Sequence, residues 1–397
     1  MAHDSGSPNF HRTFMLSPRL LRTSKDSGGR LAARGGLIVG NREPAEGSGG
    51  RISVGRNPSD LVLFVGKRLL QLVAVLFGVV TITFFFTHIA IPNPCNVWSG
   101  PRATDATIQL CIHNNDLDKP PLTQYANYIL KLATGSWGAS PRGVLVLPTI
   151  LTAFPQTLEL VLTALLFMVL LGIPLGVVAA NNSGRWLDHL VRTFYLSGWA
   201  TPTYLGGVIL SIAIGPILGL PRSGAFNTIP TPETFPRGEV FHISVLDALV
   251  NLNFPAAVDA VLHLILPASA LAFINLGIAT RMTRMSMLEV LPMDYVKTAK
   301  IKGLSDFRVL YKHALRNSLI STTTVLGITA GGLLSTTVVI EEIFQWPGIG
   351  SYAYEAITKY NFNGTIGVVI FFAIGVVVAN LVADILYGIL DPRVDWR

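Results

Sequence analysis

The chain has 397 residues, of which 50% are hydrophobic and 13% charged, and its mean hydropathy is +0.50. Soluble domains carry about 25% charged residues, so this composition excludes an ordinary soluble enzyme, a largely disordered or collagen-like chain and a disulfide-dense secreted module. An integral membrane protein remains, and its excess of 30 Lys and Arg over 23 Asp and Glu needs a location.

Residues 1–60 are rich in Gly, Ser and Arg and lack apolar periodicity, which predicts a disordered basic tail. No apolar run of about 7–15 residues lies near Met1, so no signal peptide is expected. The composition also fits an organelle transit peptide, and the plainer reading places the tail beside anionic lipid headgroups. A bilayer core of about 30 Å takes about 20 apolar residues in helix. Six stretches meet that length: 69–91, 160–180, 193–219, 256–278, 320–340 and 368–390. Each is apolar all round, as a span is and a surface helix is not. The third is expected to cross as one span although it contains Pro202 and Pro216.

The predicted organisation is a tail 1–60, a first transmembrane helix 61–91, an external segment 92–153 and a membrane core 154–390, followed by a tail 391–397. Lys and Arg decide the orientation. The tail to residue 68, the loops 181–192 and 279–319 and the C-terminal tail hold 23 of them, against 7 in the other three loops. Both termini are therefore expected in the cytoplasm. Cys95 and Cys111 then share the first external loop. A disulfide there would stabilise the loop by about 3 kcal/mol in the chain-entropy model, and two free thiols are the alternative.

The sequence lacks G-x-x-x-x-G-K-[ST], H-E-x-x-H and G-x-S-x-G, so ATP binding by a P-loop, zinc proteolysis and an esterase-type nucleophile are not expected. No paired His suggests a metal site, and basic residues without interleaved aromatics give no nucleic-acid signature. Ionisable groups at membrane depth are His88, Glu159, Asp259, His263 and Asp384. His88, Glu159 and Asp384 lie near span ends, where side chains reach the interface. Asp259 and His263 are four residues apart on one helix face and can satisfy each other. They are also the pair that a stand-alone ion-coupled carrier would need.

The stretch 281–317 carries the most information. Met282, Met285, Leu288 and Leu291 recur at helical spacing and Pro292 interrupts them. Asp294 can cap a new helix of about two turns. Gly303 fits a left-handed stop, and Ser305 or Asp306 begins the next helix. A short helix is thus expected sideways on a basic cytoplasmic loop, with Tyr295 and small Ala299 open to a groove-shaped partner; the residues alone favour the plainer reading, a solvated basic loop. Later, Trp346, Pro347 and Gly348 force a bend, with Gly350 loosening the next turn. This is either a structural turn packed on the pathway or an external gate.

DYVKTAKIKGLS followed by HALRNSLI resembles the coupling-helix motif of binding-protein-dependent ABC importer permeases. More narrowly it is similar to the dipeptide/oligopeptide permease family, B-type subunit. The general motif falls on Lys297, Thr298, Ala299 and Gly303, of which Ala299 and Gly303 keep its form. KRLLQLVAVLFGVVTITFF, GPRAT, LDKPPLTQYANY, GSWGAS, FPQTLEL, GIPLGVVAA, HLILPASALA, VVIEEIFQWPGIGSYAYEAI and VADILYGILDPRV extend the resemblance over residues 67–397. Ser321, Asn361, Phe362, Asn363 and Ile366 depart from the family pattern.

The resemblance implies an all-α membrane protein of six transmembrane helices, the type I ABC importer permease fold with a cytoplasmic coupling helix. It implies a non-catalytic subunit without cofactor, paired with a second, C-type permease, two ATPase subunits and an external substrate-binding protein in the inner membrane of a bacterium or archaeon. Asp294, Tyr295, Thr298, Ala299, Lys302, Gly303, Leu304 and Ser305 would dock on an ATPase. The implied cargo is a di- or oligopeptide, and relatives that carry nickel complexes, glutathione or oligosaccharides leave it open.

Overall fold

The computed structural model describes residues 58–90, 93–100, 102–225 and 235–390. The expected tails 1–60 and 391–397 lie outside them, except for 58–60, as does the side chain of Asp384. The described chain is helical, apart from one isolated bridge between Ala139 and Leu145.

Helix α1 (Pro58–Ala90) is followed by three short helices, α2 (Cys95–Trp98), α3 (Asp105–Asn114) and α4 (Pro121–Ala133). The second long helix, α5 (Val146–Asn181), starts well before the apolar stretch predicted at 160. It is continuous through one wider π turn at Met168–Gly172, just ahead of Pro174. A proline ring crowds the carbonyl four residues back, and widening one turn absorbs the clash. The same device, Leu210–Ile214, precedes Pro216.

The expected third span differs from the sequence reading. It is two helices, α6 (Trp186–Ala200) and α7 (Thr203–Leu218), bent by 109° at their junction. Pro202 cannot continue a helix and pushes its predecessor out of it, so Thr201 (ψ 123°) and Pro202 (ψ 138°) are both extended. Among the described residues five helices are long and apolar enough to span a membrane, and the bent pair makes a sixth if it crosses as one.

After α8 (Ser244–Val250) comes α9 (Phe254–Val290), the hub of the molecule. Its most apolar window is 56% buried, against 17–33% in the other long helices. Leu264, Leu266, Leu271 and Ala279 of α9 form the main core with Leu160, Ala164 and Met168 of α5 and Leu326, Leu333 and Ile340 of α11 (Asp306–Phe344). Between α9 and α11 lies α10 (Asp294–Ile301). The chain continues through α12 (Ile349–Thr358) to α13 (Phe362–Leu390). Leu70, Val73, Phe77, Ile82 and Phe86 leave an exposed apolar face on α1, as a helix facing lipid needs.

The external segment is a packed unit. A disulfide joins Cys95 to Cys111, with Cα atoms 5.9 Å apart, and so ties α2 to α3. On α4, Tyr125 hydrogen-bonds Thr81 of α1 (2.6 Å). Trp98 Nε1 donates to the Tyr360 carbonyl (3.0 Å) and Asn363 Nδ2 to the Ala139 carbonyl (3.0 Å). Phe362 packs its ring against His88 and Trp98. Phe362 and Asn363 therefore hold the external segment on the start of α13.

Candidate functional site

Helix α10 is amphipathic. Val296 and Ala299 are buried with Val177, Ala180, Met287, Val290, Val309, Ala314 and Leu315, so α10 rests on the ends of α5, α9 and α11. Two expectations change here. Ala299 faces its own chain and not a partner, because burial of Val296 fixes the residue three places on to the same face. Asp294 lies inside the helix after Met293, pairing with Lys297 Nζ at 3.0 Å, and does not cap it.

The stop is a Schellman motif. The Leu304 N–H donates to the Ala299 carbonyl (3.4 Å) and the Gly303 N–H to the Lys300 carbonyl (2.9 Å). Gly303 has φ 76°, a conformation that favours glycine. Leu304 packs back on the buried cluster, while Tyr295, Thr298, Lys302 and Ser305 are exposed. Asn317 Nδ2 on α11 donates to the Tyr295 hydroxyl (3.1 Å), a direct tie between the short helix and a spanning one.

Near the other ends of α5 and α11, polar groups of α5 gather two short helices. Glu341, with no exposure, accepts from Thr157 Oγ1 (2.7 Å) and from the Ser351 N–H (3.0 Å). Thr157 Oγ1 in turn accepts from the Ile349 N–H (2.8 Å). Glu159 accepts from the Ser244 and Val245 N–H groups, both 3.0 Å, and Gln156 Oε1 from Ser244 Oγ (2.9 Å). One turn of α5 thus holds the starts of both α8 and α12, satisfying N–H groups that have no partner inside their own helices.

Trp346 is fully buried, its Nε1 donating to the Gln156 carbonyl (3.0 Å), so it presents no surface to a pathway. Pro347 is exposed. Gly348 leaves room for the carboxylate, since a Cβ there would strike Glu341 Oε2 and Thr157 Oγ1. Gly350 is buried beside the same carboxylate. His263 is buried, with Nδ1 2.8 Å from the Asp259 carbonyl oxygen and 3.3 Å from Asp259 Oδ1. Among the described residues no group of three or more His, Cys, Asp or Glu is placed to hold a metal.

Residues 172–396 match the family described as binding-protein-dependent transport system inner membrane component, and residues 61–165 match its N-terminal companion. The chain belongs to this permease family. A probable D,D-dipeptide transport system permease protein of Escherichia coli K12 is 39% identical over 83% of this chain and 96% of its own. A di/tripeptide transport system permease protein of Pseudomonas aeruginosa is 39% identical over 84% and 99%. An oligopeptide transport system permease protein of Bacillus subtilis is 30% identical over 85% and 100%.

The chain is therefore a multi-pass membrane permease subunit, not an enzyme, with the all-α architecture of its family. Two exposed side chains of this permease escaped the sequence reading. Ile301 is 86% exposed and Phe307 69%, on either side of the Gly303 turn. The Phe307 and Tyr311 rings lie 4.6 Å apart. The available signal was that both residues are apolar within a basic loop, Ile301 off the spacing of Val296 and Ala299 and Phe307 beyond the Gly303 stop.

Proposed function

We propose that this permease is a subunit of an ATP-driven importer of di- or oligopeptides, and that α10 with the turn after it is where an ATPase subunit docks. One observation carries the docking reading. A two-turn helix lies between two spanning helices, its apolar face on its own chain and its other face outward. That outward face offers Tyr295, Thr298 and Lys302, with Ile301 and Phe307 as apolar anchors beside Gly303, Leu304 and Ser305. Helix-in-groove recognition needs such apolar anchors facing the partner. The peptide reading is supported by relatives named for dipeptides, tripeptides and oligopeptides.

The working assembly contains a second permease, two ATPase subunits and an external binding protein. It sits in the plasma membrane of a bacterium or archaeon, with both termini inside. Closure of the ATPases around ATP displaces the docked loop, and the spans it joins exchange inward-open and outward-open states. The Trp346 segment is a fixed turn at the external end, with Pro347 exposed.

Co-purification with the ATPase subunits, followed by ATP-dependent peptide uptake in liposomes, tests the proposal. Uptake by this chain alone under an ion gradient overturns it. A binding protein that takes only nickel complexes, glutathione or oligosaccharides overturns the cargo.

A further inference from the structure

The cytoplasmic ends of α6 and α9 are joined by a feature that the docking reading does not use. Asp188, in the first turn of α6, has a side chain 1% exposed. Arg284 of α9 grips it with two hydrogen bonds, Nε to Oδ1 (2.8 Å) and Nη2 to Oδ2 (2.9 Å). The Gly184 N–H also donates to Oδ2 (3.0 Å), and Arg192 Nε lies 3.5 Å from Oδ1. A buried carboxylate held in a two-point fork is geometrically strict, and removing either partner leaves a buried group uncompensated.

The position of this pair matters. Arg284 lies less than two turns before Val290, where α9 ends and the chain runs through three residues into α10. From the pair outward α6 lies along α9, with Tyr195 against Gly277 and Gly198 against the Phe273 carbonyl. The chain then turns through 109° into α7, where Gly207 meets Ile340 and Ile343 of α11, next to Glu341. A continuous packed route therefore runs from α10 to the cluster that holds α8 and α12, and packed interiors transmit displacement instead of absorbing it. The apolar part of the α6–α9 contact gives proximity, whereas the Asp188–Arg284 fork fixes register.

We propose that Asp188 and Arg284 are a positioning pair that makes the bent helices α6 and α7 follow α9 when the loop at α10 is displaced. The proposal rests on α10 being an ATPase dock. It assigns the pair a role in transmission, with no contact to cargo or nucleotide.

The test uses the complete transporter with hydrolysis-blocked ATPase subunits in liposomes and nitroxide labels on exposed positions. Leu190 reports α6, Met285 reports α9 and Leu70 on α1 is the reference. Adding Mg-ATP should change both the Leu190–Leu70 and the Met285–Leu70 distances in the wild type. In Arg284→Gln and in Asp188→Asn the Met285–Leu70 change should persist, while the Leu190–Leu70 change falls below about half.

A Leu190 change of full size in either variant overturns the proposal. So does failure of both variants to assemble, which would make the pair purely structural. If Met285 does not move even in the wild type, it is the docking reading itself that has failed.

Discussion

Glu341 and Gly303 are single residues whose surroundings leave little choice of side chain. Glu341 is a fully buried acceptor for the Thr157 hydroxyl and the Ser351 N–H. Glu341→Ala strands both donors, at about 1–3 kcal/mol for each buried group left unpaired. Thermal unfolding of the purified chain in detergent should show a clear fall, and Glu341→Gln, which keeps one acceptor oxygen, a smaller one. Equal losses would mean that volume and not acceptance matters there. At Gly303 a Cβ meets nothing within 4 Å, so Gly303→Ala is penalised through φ 76° alone. A left-handed non-glycine residue costs about 1–2 kcal/mol. Hydrogen exchange at the Gly303 and Leu304 amides should quicken accordingly, with the long helices unaffected. The two residues differ in how far the sequence reveals them. Gly303 is legible because its partners are a few residues away. Glu341 reads only as part of a bend, since its hydroxyl donor lies 184 positions distant.

Helix α10 shows what element-level reading can and cannot supply. Its existence, its length and the bend after it follow from Pro292, the two-turn stretch and Gly303. Its rotation does not, because Val296 and Ala299 are too few apolar positions to define a face until their partners on α5, α9 and α11 are known. That rotation decides which variants are informative. Ala299→Arg forces a charge into an apolar cluster and should prevent assembly of the chain, so it says nothing about docking. Ile301→Ser removes only exposed surface, and Phe307→Ser also removes the ring contact with Tyr311, worth about 0.5–1.5 kcal/mol. Ile301→Ser should leave the unfolding temperature unchanged and Phe307→Ser lower it slightly, and each should weaken ATPase co-purification by about tenfold, since each anchor is worth more than about 1 kcal/mol if it is a hot spot. Retained co-purification in the double variant would remove the anchors from the interface. The external helices α2 and α3 were equally hidden, being short and without an apolar stripe, whereas Leu122, Tyr125, Ile129 and Leu132 of α4 do recur at helical spacing. The link between α2 and α3 closes a sequence separation of 16, and Cys95→Ser with Cys111→Ser should cost about 3 kcal/mol within this segment. Limited proteolysis between α2 and α3 should then accelerate, with the spans intact.

For the whole molecule the decisive quantity is the distribution of charge. The net charge of +7 is concentrated in the segment up to residue 68 and in the loop 279–319, which hold 11 and 8 of the 30 basic residues. Under the positive-inside rule these two regions share a compartment. Of the five long helices, three (α1, α5 and α9) lie between these two regions and two (α11 and α13) lie between the loop and the C-terminus, so the bent pair α6–α7 must itself cross for the two regions and both termini to lie on one side. Ser183 before α6 and Arg222 after α7 are then on opposite sides of the membrane. Single cysteines at these two positions separate the alternatives cleanly, because Cys95 and Cys111 are engaged with each other and do not compete for a thiol reagent. A membrane-impermeant maleimide applied to intact cells should label Ser183→Cys only after permeabilisation and Arg222→Cys without it. Labelling of both from the same side would make α6–α7 a re-entrant pair. That would leave five crossings and put the termini on opposite faces.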